Sequence, residues 1–224
     1  RQGRVTPAQE RAMAELAPRF ALDYAPTPLD PRAVFGRDAP FVVEVGSGFS
    51  SLLIDDVNHR FLGERMEFTC VEPYPREFLR RGMAGLTRLV DQKAQDVGFA
   101  VFDSLEAGDF LFIDSSHVAK TGSDVNFLFF DVLPRLKAGV FVHVHDIFLP
   151  MEYPRERVIE QNRSWNEQYL LRALLMFSRR FRVVCGAAHA AQSHGPAVVK
   201  ALARPDGHGM GGGSFWIEVL DDRR

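Results

Sequence analysis

FVVEVGSGFSS, residues 41–51, decides the fold. Five mostly apolar residues read as a buried strand, a Gly-x-Gly turn follows, and a helical pattern begins. Acidic Glu44 lies two residues before Gly46, and a second acid, Glu72, closes the next apolar run. This spacing describes one βαβ unit that holds a nucleoside at the carboxyl ends of its strands. Gly46 permits the tight turn, and Gly48 lets backbone approach a ligand with no Cβ in the way. The helix that follows offers unpaired N–H groups at its start. Glu72, at the tip of the second strand, is placed to accept hydrogen bonds from ribose hydroxyls.

Two ligands compete for such a unit. A dinucleotide site wants a third glycine where this chain has Ser51, and no Tyr-x-x-x-Lys pair is present, both against an NAD-dependent reductase. S-adenosylmethionine has no pyrophosphate, so the turn would face an amino-acid moiety, whose ammonium Glu44 or nearby carbonyls could accept. Asp96, in KAQDVGF, reads equally as a partner for an adenine amino group or as a helix N-cap.

Working outward, apolar strands at 41–45, 67–71, 87–91, 109–113 and 139–145 alternate with helical patterns near 49–58, 75–83, 98–106 and 124–137. That alternation means a parallel sheet with right-handed crossovers, covered on both faces. The last two β-rich runs, 181–185 and 213–220, have no long helical pattern between them. They read as an antiparallel hairpin with a long loop. The fold class is therefore α/β, a Rossmann-like doubly wound sheet of about seven strands, mostly parallel. Residues 1–40, with a short helix at 7–17 and a proline-rich stretch, lead into a nucleoside-binding domain at 41–224. The opening on Arg1 suggests a segment upstream. Ser123 reads as an N-cap, Ser164 with Glu167 as a capping box, and Pro134 as tightening or ending its helix.

A second constellation sits at strand ends. DFLFIDSSH, residues 109–117, places Asp114 at the end of strand four with His117 beyond it. GVFVHVHDIF, residues 139–148, sets His143 and His145 on one face with Asp146 following. If these strands are neighbours, Asp114, His117, His145 and Asp146 meet at the carboxyl edge. A histidine there could act as general base toward a hydroxyl. Alternatively, Asp114, His145 and Asp146 could hold a divalent metal, or the groups could merely cap strand ends. Asp114 would also lie close to a bound sulfonium. His143 reads as a core histidine. The stretch 148–171, FLPMEYPRERVIEQNRSWNEQYLL, reads as a lid or substrate wall.

The chain has 224 residues, 46% hydrophobic and 25% charged, ordinary for a globular domain. A net charge of −2 argues against a nucleic-acid surface. No apolar run reaches membrane-spanning length. Cys70 and Cys185 fall in separate strands, which fits a reducing cytoplasm.

VVEVGSGFSS, VEPYP, IDSSH, LPRLKAGVFVHVHDIFLP and NRSWNEQYLL together resemble the class I S-adenosylmethionine-dependent methyltransferases, in the bacterial branch grouped as methyltransferase domain 24. The resemblance spans roughly residues 40 to 220. It implies a seven-stranded sheet with an antiparallel last strand and S-adenosylmethionine as methyl donor. It implies cofactor contacts at Glu44, Gly46, Ser47, Gly48, Glu72, Asp96 and Asp114. Related small-molecule O-methyltransferases bind magnesium through oxygen ligands after strands four and five, where this chain has Asp114, His145 and Asp146. The expectation is O-methylation of a small molecule, a sugar or natural-product hydroxyl, with His145, His117 and Asp146 catalytic. The alternatives are the reductase and a non-catalytic nucleoside-binding module.

Overall fold

The computed structural model describes Arg32, Gly36, residues 38–201 and residues 212–221. The helix expected at 7–17 and most of the lead-in lie outside these residues. The seven strands are β1 Phe41–Val45, β2 Glu67–Val71, β3 Arg88–Val90, β4 Phe110–Ile113, β5 Phe141–Val144, β6 Phe181–Gly186 and β7 Phe215–Val219. They form a single sheet in the order β3-β2-β1-β4-β5-β7-β6. The first five strands pair in parallel, and β7 runs antiparallel to both β5 and β6. The expected sheet and its antiparallel end are both present.

Alternation along the strands builds two cores, because successive side chains face opposite ways. From β1, Val43 and Val45 enter one apolar cluster and Val42 the other. The larger cluster packs against a helical run that starts as α4, Asp124–Asn126, and against α5, Glu167–Phe177. The smaller one, around Phe68, Cys70 and Leu79, packs against α1, Phe49–Phe61, and α2, Glu77–Arg80. Each fully buried aliphatic side chain stabilises the fold by about 1.5–3 kcal/mol, so both faces contribute to holding the sheet.

The Ser123 cap forms, its Oγ accepting from the Asn126 amide at 3.2 Å. Pro134 acts as expected: the run passes through π turns at Phe127–Val132 and tightens to a 3-10 turn at Leu133–Arg135. Proline supplies no N–H for the carbonyl four residues before it. The pattern read at 98–106 reduces to a short α3, Ala100–Asp103.

Two local expectations fail. Between β6 and β7 the chain is not all loop: α6 spans Ala187–Ala201, kinked where His194 takes a non-helical conformation, with Pro196 inside. Gly195 and Pro196 follow the kink, and proline is tolerated in the first turn of the segment after a kink, where its N–H has no partner to lose. The capping box at Ser164 also does not form. Asn166 precedes α5, and Glu167 turns inward with 0% exposure.

Candidate active site

The sheet order reverses direction between β1 and β4, the position where open α/β sheets leave a crevice at their carboxyl ends. Register fixes what gathers there. The Gly46 amide donates to Val71 O, Glu72 to Val90 O, Asp114 to Val45 O and His145 to Ile113 O, at 2.8–3.0 Å. Each residue named at a strand tip therefore stands beside its neighbour along one edge.

Gly46 has φ +88, and a Cβ there would fall 2.1 Å from the Asp114 carbonyl oxygen. The turn can approach β4 this closely for want of a side chain. A Cβ at Gly48 would meet nothing within 4 Å, which leaves open space beside the turn. Ser47 Oγ donates to Glu72 Oε2 at 2.8 Å, and the Tyr74 amide donates to Glu72 Oε1 at 2.8 Å. Both hydrogen bonds orient the carboxylate expected to face a ribose.

Glu44 is fully buried beneath the turn. Ser51 Oγ donates to its Oε2 at 2.6 Å, while Oε1 has no partner. Burial pushes its carboxyl up to about 7 despite the serine hydrogen bonds. An unpartnered buried carboxylate oxygen costs free energy that a cationic ligand group would recover. The orphaned oxygen, the open space at Gly48 and the oriented Glu72 suit the ammonium and ribose of S-adenosylmethionine. Asp96 is exposed in a 3-10 turn, Ala94–Asp96, and does not cap a helix.

The second constellation converges on His117. Its Nδ1 donates to Glu167 Oε2 at 2.9 Å, and its Nε2 lies 3.4 Å from Asp114 Oδ1 and 4.0 Å from Asp146 Oδ2. Burial alone would lower the imidazole pKa. The carboxylates of Asp114 and Glu167 outweigh it and raise the group to about 9. His117 is thus a cation at neutral pH, which corrects the expectation of a base there, because a protonated ring has no lone pair to accept a proton. Burial likewise pushes Asp114 up, but the hydrogen bond from His117 and the surrounding histidines leave it below the ordinary carboxylate range.

His143 is a core residue, as expected. It stacks on Phe112 with ring centroids 3.8 Å apart, its Nε2 meets Ser214 Oγ at 2.9 Å, and burial drops its pKa to about 3. His145 differs from both: its side chain is 43% exposed, with Nε2 3.8 Å from Asp146 Oδ1. Asp146 sits in a turn at φ +53, backed by Gly213.

The metal expected at Asp114, His145 and Asp146 does not fit. Among the described residues no group of three or more His, Cys, Asp or Glu could hold an ion. The imidazolium of His117 already stands between Asp114 and Asp146, where a cation would be needed.

Sequence reasoning missed Glu167. It accepts from Ser115 Oγ at 2.8 Å as well as from His117, and Ser115 Oγ in turn accepts the His117 amide at 3.0 Å. The amides of Asn166 and Glu167 donate to His117 O, and Asn166 Oδ1 accepts from Ala119. The start of α5 therefore grips the loop after β4. A signal was present: Glu167 shares a helical stripe with Leu170, Leu171 and Leu174, which pack into the core. The 148–171 stretch packs against this constellation. Trp165 lies 4.6 Å from the His117 ring, and Tyr153 OH accepts from the Gln168 amide at 3.0 Å.

Residues 43–147 match the family model described as a methyltransferase domain, the group numbered 24. The match covers just under half of the chain and marks that stretch as similar to the methyltransferase domain. The domain is similar to the tRNA (guanine-N(7)-)-methyltransferase of Burkholderia vietnamiensis, 35% identical over 155 residues, covering 64% of this chain and 59% of that protein. Its likeness to the Xanthomonas campestris protein of the same name is 60% over 53 residues, 24% of this chain and 20% of that one. The chain spans less than two thirds of the length of these curated relatives. Among solved structures, a SAM-dependent methyltransferase from Anabaena variabilis is 11% identical with TM-score 0.45, covering 94% of this chain and 84% of that one, too distant to bear on function.

These relatives overturn the exclusion of nucleic acid that the net charge suggested. A net charge of −2 sums over the whole surface and is blind to local clusters. Arg157 and Arg163, both stacked on Trp165 beside the site, are one such cluster. No helix among the described residues is long and apolar enough to cross a membrane.

Proposed function

We propose that this chain transfers the methyl group of S-adenosylmethionine to an acceptor hydroxyl oxygen held over the ends of β4 and β5. The donor, when bound, supplies a methyl carbon made electrophilic by its sulfonium. Gly46 and Gly48 make room for it, Glu72 binds its ribose, Glu44 balances its ammonium, and Asp114 stands near its positive centre. His145 takes the proton from the acceptor, with the Asp146 carboxylate 3.8 Å from its Nε2. His117, held charged by Glu167 and Asp114, keeps those carboxylates apart and in place. Alignment of this kind contributes up to about 7–11 kcal/mol to lowering a barrier.

The observation that carries the reading is the contrast among three histidines. His117 is paired and charged, His143 is buried and neutral, and His145 alone of the three has a substantially exposed side chain against a carboxylate.

A second reading is favoured by the names of the relatives: methylation of guanine N7 in tRNA. N7 carries a lone pair and no proton, so this chemistry needs no base. The two readings separate in one assay. Purified protein is given labelled S-adenosylmethionine with an unmodified tRNA transcript or with a panel of hydroxyl acceptors, and products are identified by mass spectrometry. Label on a hydroxyl that His145→Ala abolishes supports the first. 7-Methylguanosine formed at full rate by His145→Ala replaces it with the second. No binding of S-adenosylhomocysteine by calorimetry would remove both.

A further inference from the structure

We infer that Arg157 and Arg163, stacked on Trp165, form a binding site for a phosphate group carried by the methyl acceptor. Calling the phosphate's carrier the acceptor rests on the methyltransferase reading; the anion site itself does not.

The guanidinium carbons of Arg157 and Arg163 lie 5.2 and 5.0 Å from the centre of the Trp165 ring. A guanidinium held over a ring through its carbon still carries five N–H donors, in the fork geometry that suits phosphate oxygens. The Arg163 amide donates to Arg157 O at 2.9 Å, which closes the loop carrying both. Packing of both guanidinium groups against one indole restricts two long side chains before a ligand arrives, which lowers the entropic cost of binding.

The acids of the same segment are engaged elsewhere. Glu160 pairs with Arg155 at 3.4 Å, Glu156 accepts from the Gln161 amide at 2.8 Å, and Glu152 accepts from the Tyr169 hydroxyl. Arg157 comes no nearer than 4.0 Å to Asp146, and among the described residues Arg163 has no ion-pair partner. The indole beneath them is also 4.6 Å from the His117 ring, so the arginines stand next to the edge where the acceptor must react. A phosphate held there would anchor a molecule whose reacting atom reaches His145. A phosphorylated small molecule and an RNA phosphodiester offer the same chemistry.

The test is calorimetric titration of the protein with inorganic pyrophosphate at physiological salt. Arg157→Gln and Arg163→Gln should each weaken binding by about tenfold or more, Arg163→Lys should retain part of it, and Arg155→Gln should leave it intact. Equal binding in Arg163→Gln, an equal loss in Arg155→Gln, or no binding to the unaltered protein would overturn the site. Competition separates the sources. Displacement by a mononucleotide but not by a ribo-oligonucleotide assigns the phosphate to a small acceptor, and the reverse assigns it to RNA; either keeps the site. S-adenosylhomocysteine titrated into the same variants should bind as before. If it binds none of them, the methyltransferase reading falls while the pyrophosphate result stands separately.

Discussion

Glu167 lies fifty residues beyond His117 in the chain, yet it accepts that ring's Nδ1 hydrogen at 2.9 Å with no exposed surface of its own. The pair is buried, and His117 titrates at about 9, above its ordinary value. A raised histidine adds stability that is fully present below its unfolded pKa and is lost as pH rises through the folded one. Urea denaturation of the unaltered protein should therefore show stability falling between pH 6.5 and about 9. Glu167→Gln should cost about 3–5 kcal/mol at pH 7 by leaving a buried charge short of a partner, and should flatten that slope. An unchanged slope in the variant would separate His117 from Glu167.

Removing the proposed base gives a kinetic signature. His145→Ala should lower turnover on a hydroxyl acceptor by about 10²- to 10⁴-fold. Its side chain is 43% exposed, so stability should change little. Calorimetry with S-adenosylhomocysteine should give the same affinity as before, and a loss there would place His145 in the donor site instead.

Glu44 sets function against stability. Its carboxyl is raised to about 7 by burial, so its contribution runs opposite to an ordinary surface acid. The folded state loses stability as pH rises from the unfolded carboxylate range to about 7, because the unfolded chain ionises this carboxyl freely while burial holds the folded one protonated. Glu44→Gln should then be more stable than the unaltered protein by about 3 kcal/mol at pH 8, with the difference vanishing near pH 4. The same variant should bind S-adenosylhomocysteine about tenfold or more weakly at pH 8. Thermal melts across pH, paired with calorimetry, check both halves.

Gly213 is a third lever on the site. A Cβ there would lie 2.5 Å from Asp146 Cα and 2.8 Å from the Ile147 amide nitrogen, backbone that cannot step aside cheaply. The Ile147 amide also donates to Gly213 O at 3.0 Å. Gly213→Ala should cost about 1–3 kcal/mol and lower turnover by moving Asp146 away from His145. Equal melting temperature and equal turnover would show that the turn relaxes freely.

The sheet was readable because its signals are local. The β1 pattern, the glycine turn and Glu72 lie within a single βαβ unit, and the register of a parallel sheet then brings Asp114 and His145 to the same edge. The role of Glu167 was not readable, because Ser164 and Glu167 match a capping box and the competing partner, His117, comes from another part of the chain. The helix after β6 was obscured by Gly195 and Pro196, whose break is a kink and not an end. His117 reads as one of the histidines that could serve as a base, because sequence does not show which carboxylates surround an imidazole in space; here Asp114 and Glu167 raise it. Overall charge is a poor guide to nucleic acid for the same reason: the fold gathers Arg157 and Arg163 over one indole, which composition cannot register.

The grip of α5 on the loop after β4 also orders events in time. The glycine turn, Glu72 and Asp114 have emerged from a ribosome well before residue 167. A nascent or truncated chain could thus assemble the pocket for a nucleoside while His117 still lacks its tether. The tether of His117 to Glu167 would then form later than the strand-tip edge of β1, β2 and β4, only when the chain from residue 167 onward has folded into place.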